Sequence, residues 1–185
     1  MWPVLPGPGN TTWLAGRSGR RISSTARETV ESFDEIVWAV LPRNDSLKSL
    51  VDYLGGRVDE LFDSTPTRCW FSAPRDPPNV VVPAEVRHGF FLGCKEVLNN
   101  VLKHAKAPEV RIHLTYQNST LQVSIEDNGC GFDPSVENVA GNGLRNLRKR
   151  FQDLGGQFEL ESRPGRGTRV LLSIRLNPDL VAEKS

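Results

Sequence analysis

Apolar residues recur at helical steps in some stretches and alternate in others, and the switches between the two periods divide the chain. From 22 to 40, Ile22, Ala26, Val30, Phe33, Val37 and Val40 fall three or four apart. That narrow seam predicts a bundle-forming helix, ended by Pro42, with Trp38 beside the seam in a packing role. Leu47, Leu50, Leu54, Val58 and Leu61 predict a second helix over 47–62, capped by Asp45 or Ser46, although Gly55 and Gly56 sit inside it. A short strand at 68–72, around Cys69, Trp70 and Phe71, and a loop at 74–78 follow. Val86, Phe90, Cys94, Val97, Val101 and Ala105 predict one long helix over 84–105, bracketed by Pro83 and Pro108. Beyond it the period falls to two. Strands are expected at 109–116, 120–127, 157–162 and 168–176; in the second of these Leu121, Val123 and Ile125 alternate with polar residues. Between the two pairs of strands, Leu144, Leu147, Phe151 and Leu154 predict a helix that Gly155 and Gly156 stop. This order predicts an α/β two-layer sandwich, a mixed sheet with helices on one face, preceded by a helical appendage.

Four polar or glycine-rich clusters sit where these periods change: KEVLNNVLKHA, EDNGCGFD, GNGLRNLRKR and PGRGT. In the first, Glu96, Asn100 and Lys103 share one stripe beside the apolar face of the long helix. A carbonyl oxygen can ligate Mg2+, an ammonium can meet phosphate and a carboxylate can take a proton, although a plain solvated face would look the same. In the second, Asp127 closes a strand and could accept a hydrogen bond from a purine amino group. Gly129 and Gly131 there would let backbone approach a flat ring, or simply make a turn. In the third, Gly141 and Gly143 precede Leu144 at a helix start, where amide hydrogens form an anion site, with Arg145, Arg148 and Arg150 nearby. In the fourth, Thr168 opens a strand and could offer a hydroxyl to phosphate, or serve only as a strand residue.

In this order, Glu96-x3-Asn100, DNGCG, GNGL and GRGT resemble the asparagine box and three glycine boxes of the gyrase, heat-shock chaperone, histidine-kinase and mismatch-repair ATPases. The KHA after the asparagine is most similar to sensor histidine kinases of two-component systems, and SFDEIVWAVLPRND resembles the end of their second dimerisation helix. The resemblance spans about residues 22–176 and implies a Bergerat-type ATPase fold. It implies further that Asp127 binds the adenine amino group and that Gly129 and Gly131 shape the adenine side. Asn100 would coordinate the Mg2+ that bridges the phosphates, Glu96 would be general base or position water, and Lys103 would contact phosphate. Gly141 and Gly143 would belong to a lid over the ATP phosphates, short here at Phe132 to Asn142, Leu144 would bind ATP, and Thr168 would line the pocket floor. The implied organisation is a tail over 1–21, a dimerisation helix over 22–45, an ATPase domain over 46–179 and a second tail over 180–185.

Composition narrows the function further. A net charge of +1 over 185 residues gives no global field for nucleic acid or for direct contact with a membrane surface. Cys69, Cys94 and Cys130 are scattered, without metal-ligand spacing, as expected in a reducing, cytoplasmic compartment. No apolar run is long enough to span a bilayer, and the start lacks the features of a secretory signal. The expected function is transfer of the γ-phosphoryl of ATP to a histidine, which then passes it to a response regulator. The expected partners are that regulator and a histidine-bearing dimerisation helix, in cis or in trans, with a weak homodimer through the 22–40 seam. No histidine precedes Ile22, and His88, His104 and His113 lie in the ATPase region, so the chain alone is expected not to label itself. Two alternatives are a serine kinase of the anti-sigma-factor type and a non-catalytic nucleotide-binding dimerisation module.

Overall fold

The computed structural model describes residues 37–135 and 141–176, with 141 and 142 described through their backbone alone. The chain divides into two compact units, 1–37 and 38–185. Residues 37–40 are helical, while the seam positions Ile22, Ala26, Val30 and Phe33 lie outside the described residues.

In the second unit, helix α1 spans Leu47–Phe62 and strand β1 Arg68–Ser72. Ser46 caps α1 by accepting a hydrogen bond from the Ser49 amide at 3.1 Å, which meets one of the orphan donors of the first turn. Its buried stripe is Leu47, Leu50, Leu54, Val58 and Phe62. Phe62, rather than the expected Leu61, closes that stripe, because the last step from Val58 is four residues.

Helix α2 spans Ala84–Asn100 and gives way to a π-helical turn over Val101–Ala105. The single helix expected over 84–105 is therefore two elements. Lys106, at φ 51°, ends the turn in a left-handed conformation, and the Ala105 carbonyl is left to accept the Cys130 amide at 2.8 Å. π-turns of this kind widen a helix locally and are frequent at functional sites.

Strands β2, Glu109–Gln117, and β3, Thr120–Asp127, form a hairpin. Helix α3, Gly141–Asp153, then precedes β4, Gln157–Ser162, and β5, Thr168–Arg175. The strand order is β1-β2-β3-β5-β4; β1 runs parallel to β2 and the remaining pairs are antiparallel. Val110, Ile112 and Leu114 on β2 are buried while Arg111 and His113 are exposed, and β5 repeats the alternation with Val170, Leu172 and Ile174 inside. The sheet therefore presents one apolar face to the helices. Phe90 of α2 and Phe151 of α3 meet edge to face over it, ring centroids 5.3 Å apart.

This topology sets two chemistry-bearing ends side by side. Asp127 ends β3 directly opposite Thr168 at the start of β5. The last turn of α2 and the start of α3 lie over the same end of the sheet, around a shared cavity.

Candidate functional site: a cavity between helix and sheet

The cavity, about 330 Å³, is bounded by Asn100 and His104 on the α2 side and by Asp127, Gly131 and Thr168 on the sheet side. Val97, Val101, Ala105, Leu144 and Val170 supply apolar walls, and Phe132 borders it after β3. Mostly apolar walls with a few convergent polar groups are typical of small-molecule sites.

Asp127 is half-buried, and its position is fixed from three sides. Its Oδ1 accepts the Gly129 amide at 2.8 Å. The amide and hydroxyl of Thr168 lie close enough to the same carboxyl to favour its charged form. Burial nevertheless outweighs these donors and holds the Asp127 carboxyl above the ordinary carboxylate range. The Thr168 hydroxyl also lies 3.0 Å from that of Ser162, so it serves the Asp127 end of the cavity.

At the other end, the Asn100 amide nitrogen faces Glu96 Oε1 at 3.4 Å, which turns the amide oxygen away from the carboxylate. Glu96 lies against the start of α3: a Cβ built on Gly143 would fall 1.7 Å from Glu96 Oε1. Only glycine at 143 admits the carboxylate there. An oxygen donor beside a carboxylate fits a hard divalent cation held mainly by substrate phosphates. Among the described residues no group of three or more His, Cys, Asp or Glu could form a cage of its own.

Of the residues singled out in the sequence, Asn100, Asp127, Gly131, Leu144 and Thr168 line the cavity. Glu96 and Gly143 meet beside it. Lys103 is exposed on the π-turn. Gly141 opens α3, and nothing further of it is described. Gly129 makes its close approach to protein, since a Cβ there would fall 2.2 Å from the Ala105 carbonyl oxygen. Gly131, at φ +56°, is likewise pressed against the Arg163 carbonyl. Both glycines lock the turn after β3 against neighbouring backbone, and Gly131 reaches the cavity as well. Sequence reasoning did not assign His104, Cys130 or Phe132 to the nucleotide site, although Phe132 stands at the start of the expected lid; all three line the cavity. The four-residue step from Asn100 to His104 was the available signal for the first.

The fold and cavity define a two-layer α/β nucleotide-site architecture. Residues 87–178 match the family described as histidine kinase-, DNA gyrase B-, and HSP90-like ATPase, and the chain belongs to that family. It is an ATP-binding domain of the kind found in sensor histidine kinases. It is 29% identical over 126 residues to the sensor protein VraS of Staphylococcus saprophyticus, covering 68% of this chain and 36% of that protein. It is 30% identical over 122 residues to the sensor histidine kinase LiaS of Bacillus subtilis, covering 66% and 34%. The chain thus spans about a third of the length of these curated relatives. The histidine kinase domain of the blue-light activated histidine kinase of Erythrobacter litoralis superposes with a TM-score of 0.58 at 26% identity, covering 74% of this chain and 66% of that one.

Proposed function

We propose that the chain binds Mg2+-ATP in this cavity and presents the γ-phosphoryl group to a histidine, as the catalytic part of a two-component sensor kinase. The observation that carries this reading is the pairing of two polar ends across one apolar cavity: Asp127 held by Gly129 and Thr168, and Asn100 held beside Glu96. Adenine enters the Asp127 end, where the carboxylate accepts from its amino group and Val101, Ala105 and Val170 exclude water from its faces. The triphosphate then runs toward Asn100, the start of α3 and Lys103 on the rim. Asn100 Oδ1 would hold Mg2+, which supplies charge neutralisation on the phosphates when bound. Glu96, aimed by Asn100 and packed on Gly143, takes the proton from the attacking nucleophile or orients it.

In-line transfer needs an acceptor that approaches the γ-phosphate from outside the pocket. His104 is part of the cavity wall, His113 is exposed on the open sheet face, and His88 lies in a groove with Asn146 and Lys149. The acceptor is therefore a histidine on a separate dimerisation helix, in cis or in trans, and a response regulator takes the phosphoryl group from it. Residues 22–45 would be the second helix of that bundle and support a weak homodimer, with residues 46–179 as the ATPase domain. Among the described residues no helix is long and apolar enough to cross a membrane, and we assign the domain to the cytoplasm. Incubation with γ-labelled ATP and a separately supplied histidine-bearing helix, followed by an acid-lability assay, tests the reading. Acid-labile label on that helix is expected, and its absence under saturating ATP would refute transfer.

A further inference from the structure

Helix α2 has a second functional stripe, on a face that the nucleotide reading does not use. Arg87, Phe91 and Lys95 fall at i, i+4 and i+8, so they stand in one row. Arg87 is only 2% exposed, yet no carboxylate is among its hydrogen-bond partners. Its guanidinium donates to three backbone carbonyls instead: Val82 at 2.6 Å, Leu41 at 3.3 Å, and Ala39 at closer range. Ala39 lies at the end of the helical residues 37–40, where carbonyls lack partners within the helix and carry partial negative charge. Among the described residues the buried Nε of Arg87 has no hydrogen-bond partner.

Burying a guanidinium is expensive: burial holds its pKa below the usual arginine value, although the charges of Asp45 and Glu85 act the other way. Packing alone would be served as well by an apolar side chain, so the arginine has to be explained by what it grips. It grips the first residues of the second unit, at Ala39 and Leu41. The same stretch is held twice more. Asn44 donates to the Trp38 carbonyl at 2.8 Å. The Trp38 ring stacks on Tyr53 of α1, centroids 3.7 Å apart and 6° from parallel. Tyr53 meets Phe91 at 5.3 Å, and Lys95 lies 5.9 Å over the Phe91 ring. Thirteen steps along one helix, about 20 Å, separate Arg87 from Asn100.

We propose that Arg87 and the Trp38–Tyr53–Phe91 stack form a latch that couples the chain segment at 38–45 to the nucleotide cavity through α2. Strain applied at 38–45 is felt at Arg87 and Phe91 and arrives at Asn100 and the π-turn as a displacement of α2. Naming the cavity as the receiving end rests on the ATP reading above; the coupling itself does not.

Amide hydrogen exchange on the full chain, free of nucleotide, tests the latch in Arg87→Lys. Lysine keeps the charge but cannot fork across three carbonyls. Exchange should rise about tenfold or more at 38–45 and also at 100–105, with β2 and β3 unchanged. Trp38→Ala, which cuts the stack and spares Arg87, should move the same two segments in the same direction; it carries the test if the Arg87 variant does not fold. A rise confined to 38–45 would overturn the proposal, leaving a local fastening. So would a uniform rise through β2 and β3, which means only lost stability. A parallel ATP titration separates the two claims: coupled exchange without ATP binding would sink the ATP reading and leave the latch standing.

Discussion

Asp127→Asn changes one atom at the point where the nucleotide base would be read. A carboxylate offers about four lone-pair sites; the Gly129 amide takes one, and Thr168 lies beside the same carboxyl. In the ATP reading, a remaining site meets the adenine amino group. An asparagine has one carbonyl oxygen, which the Gly129 amide claims, and its NH2 group then turns a donor toward the donor on adenine. Losing a hydrogen bond to a charged acceptor costs about 1.5–3 kcal/mol, so ATP should bind about 10- to 100-fold more weakly. Inosine triphosphate carries an oxygen in place of that amino group. Wild type should discriminate against it and Asp127→Asn should not, since the new donor can meet the oxygen. Calorimetric titration of both nucleotides into both proteins gives the four affinities. An equal proportional loss for ATP and inosine triphosphate would show that Asp127 does not read the base, whatever its effect on the fold.

Three further outcomes follow from the same geometry. Glu96→Gln should lower phosphoryl transfer about 10²- to 10⁴-fold with ATP affinity changed only a few-fold, as single-turnover kinetics beside a titration would show. Gly143→Ala places a methyl group where Glu96 Oε1 now sits, so the carboxylate must swing away. The melting temperature should hold, because alanine is the better helix residue and a side-chain end can move. Transfer should nevertheless drop about tenfold or more, as expected when a base loses its position. Because burial raises the Asp127 carboxyl above its usual 3.8, its protonation stabilises the empty fold. That contribution is complete below 3.8 and is lost as pH rises through the folded value. ATP affinity should move the opposite way, falling as pH drops through that value, and titrations paired with melts across acidic pH would show it.

Periodicity alone located α1 and all five strands to within a residue or so, because each buries one clean stripe or alternates across one buried face; it also found α3, which begins three residues before Leu144, at Gly141. It could not end α2 at Asn100. The apolar step from Val97 to Val101 to Ala105 reads as ordinary helix, and the sequence does not show that the Ala105 carbonyl ends the π-turn by accepting a distant partner, the Cys130 amide. Pairing of Asp127 with Thr168 was equally hidden, since it depends on β5 entering the sheet beside β3. The glycines were legible as special positions, but their neighbours were not: Gly129 meets Ala105 and Gly143 meets Glu96. Arg87 was invisible for the opposite reason. A charged residue near the start of a helix reads as solvated surface, and only the folded chain shows it enclosed by three carbonyls.

The central claim is that this cavity holds ATP for delivery of its γ-phosphoryl group to a histidine on another helix. Mixing the chain with γ-labelled ATP, Mg2+ and a separate histidine-bearing dimerisation helix measures that delivery directly. The account predicts acid-labile label on the supplied helix, lost with Glu96→Gln, and none on the chain itself. Label on the chain that disappears with His88→Ala, His104→Ala or His113→Ala would contradict it, as would ATP binding with no transfer to the helix.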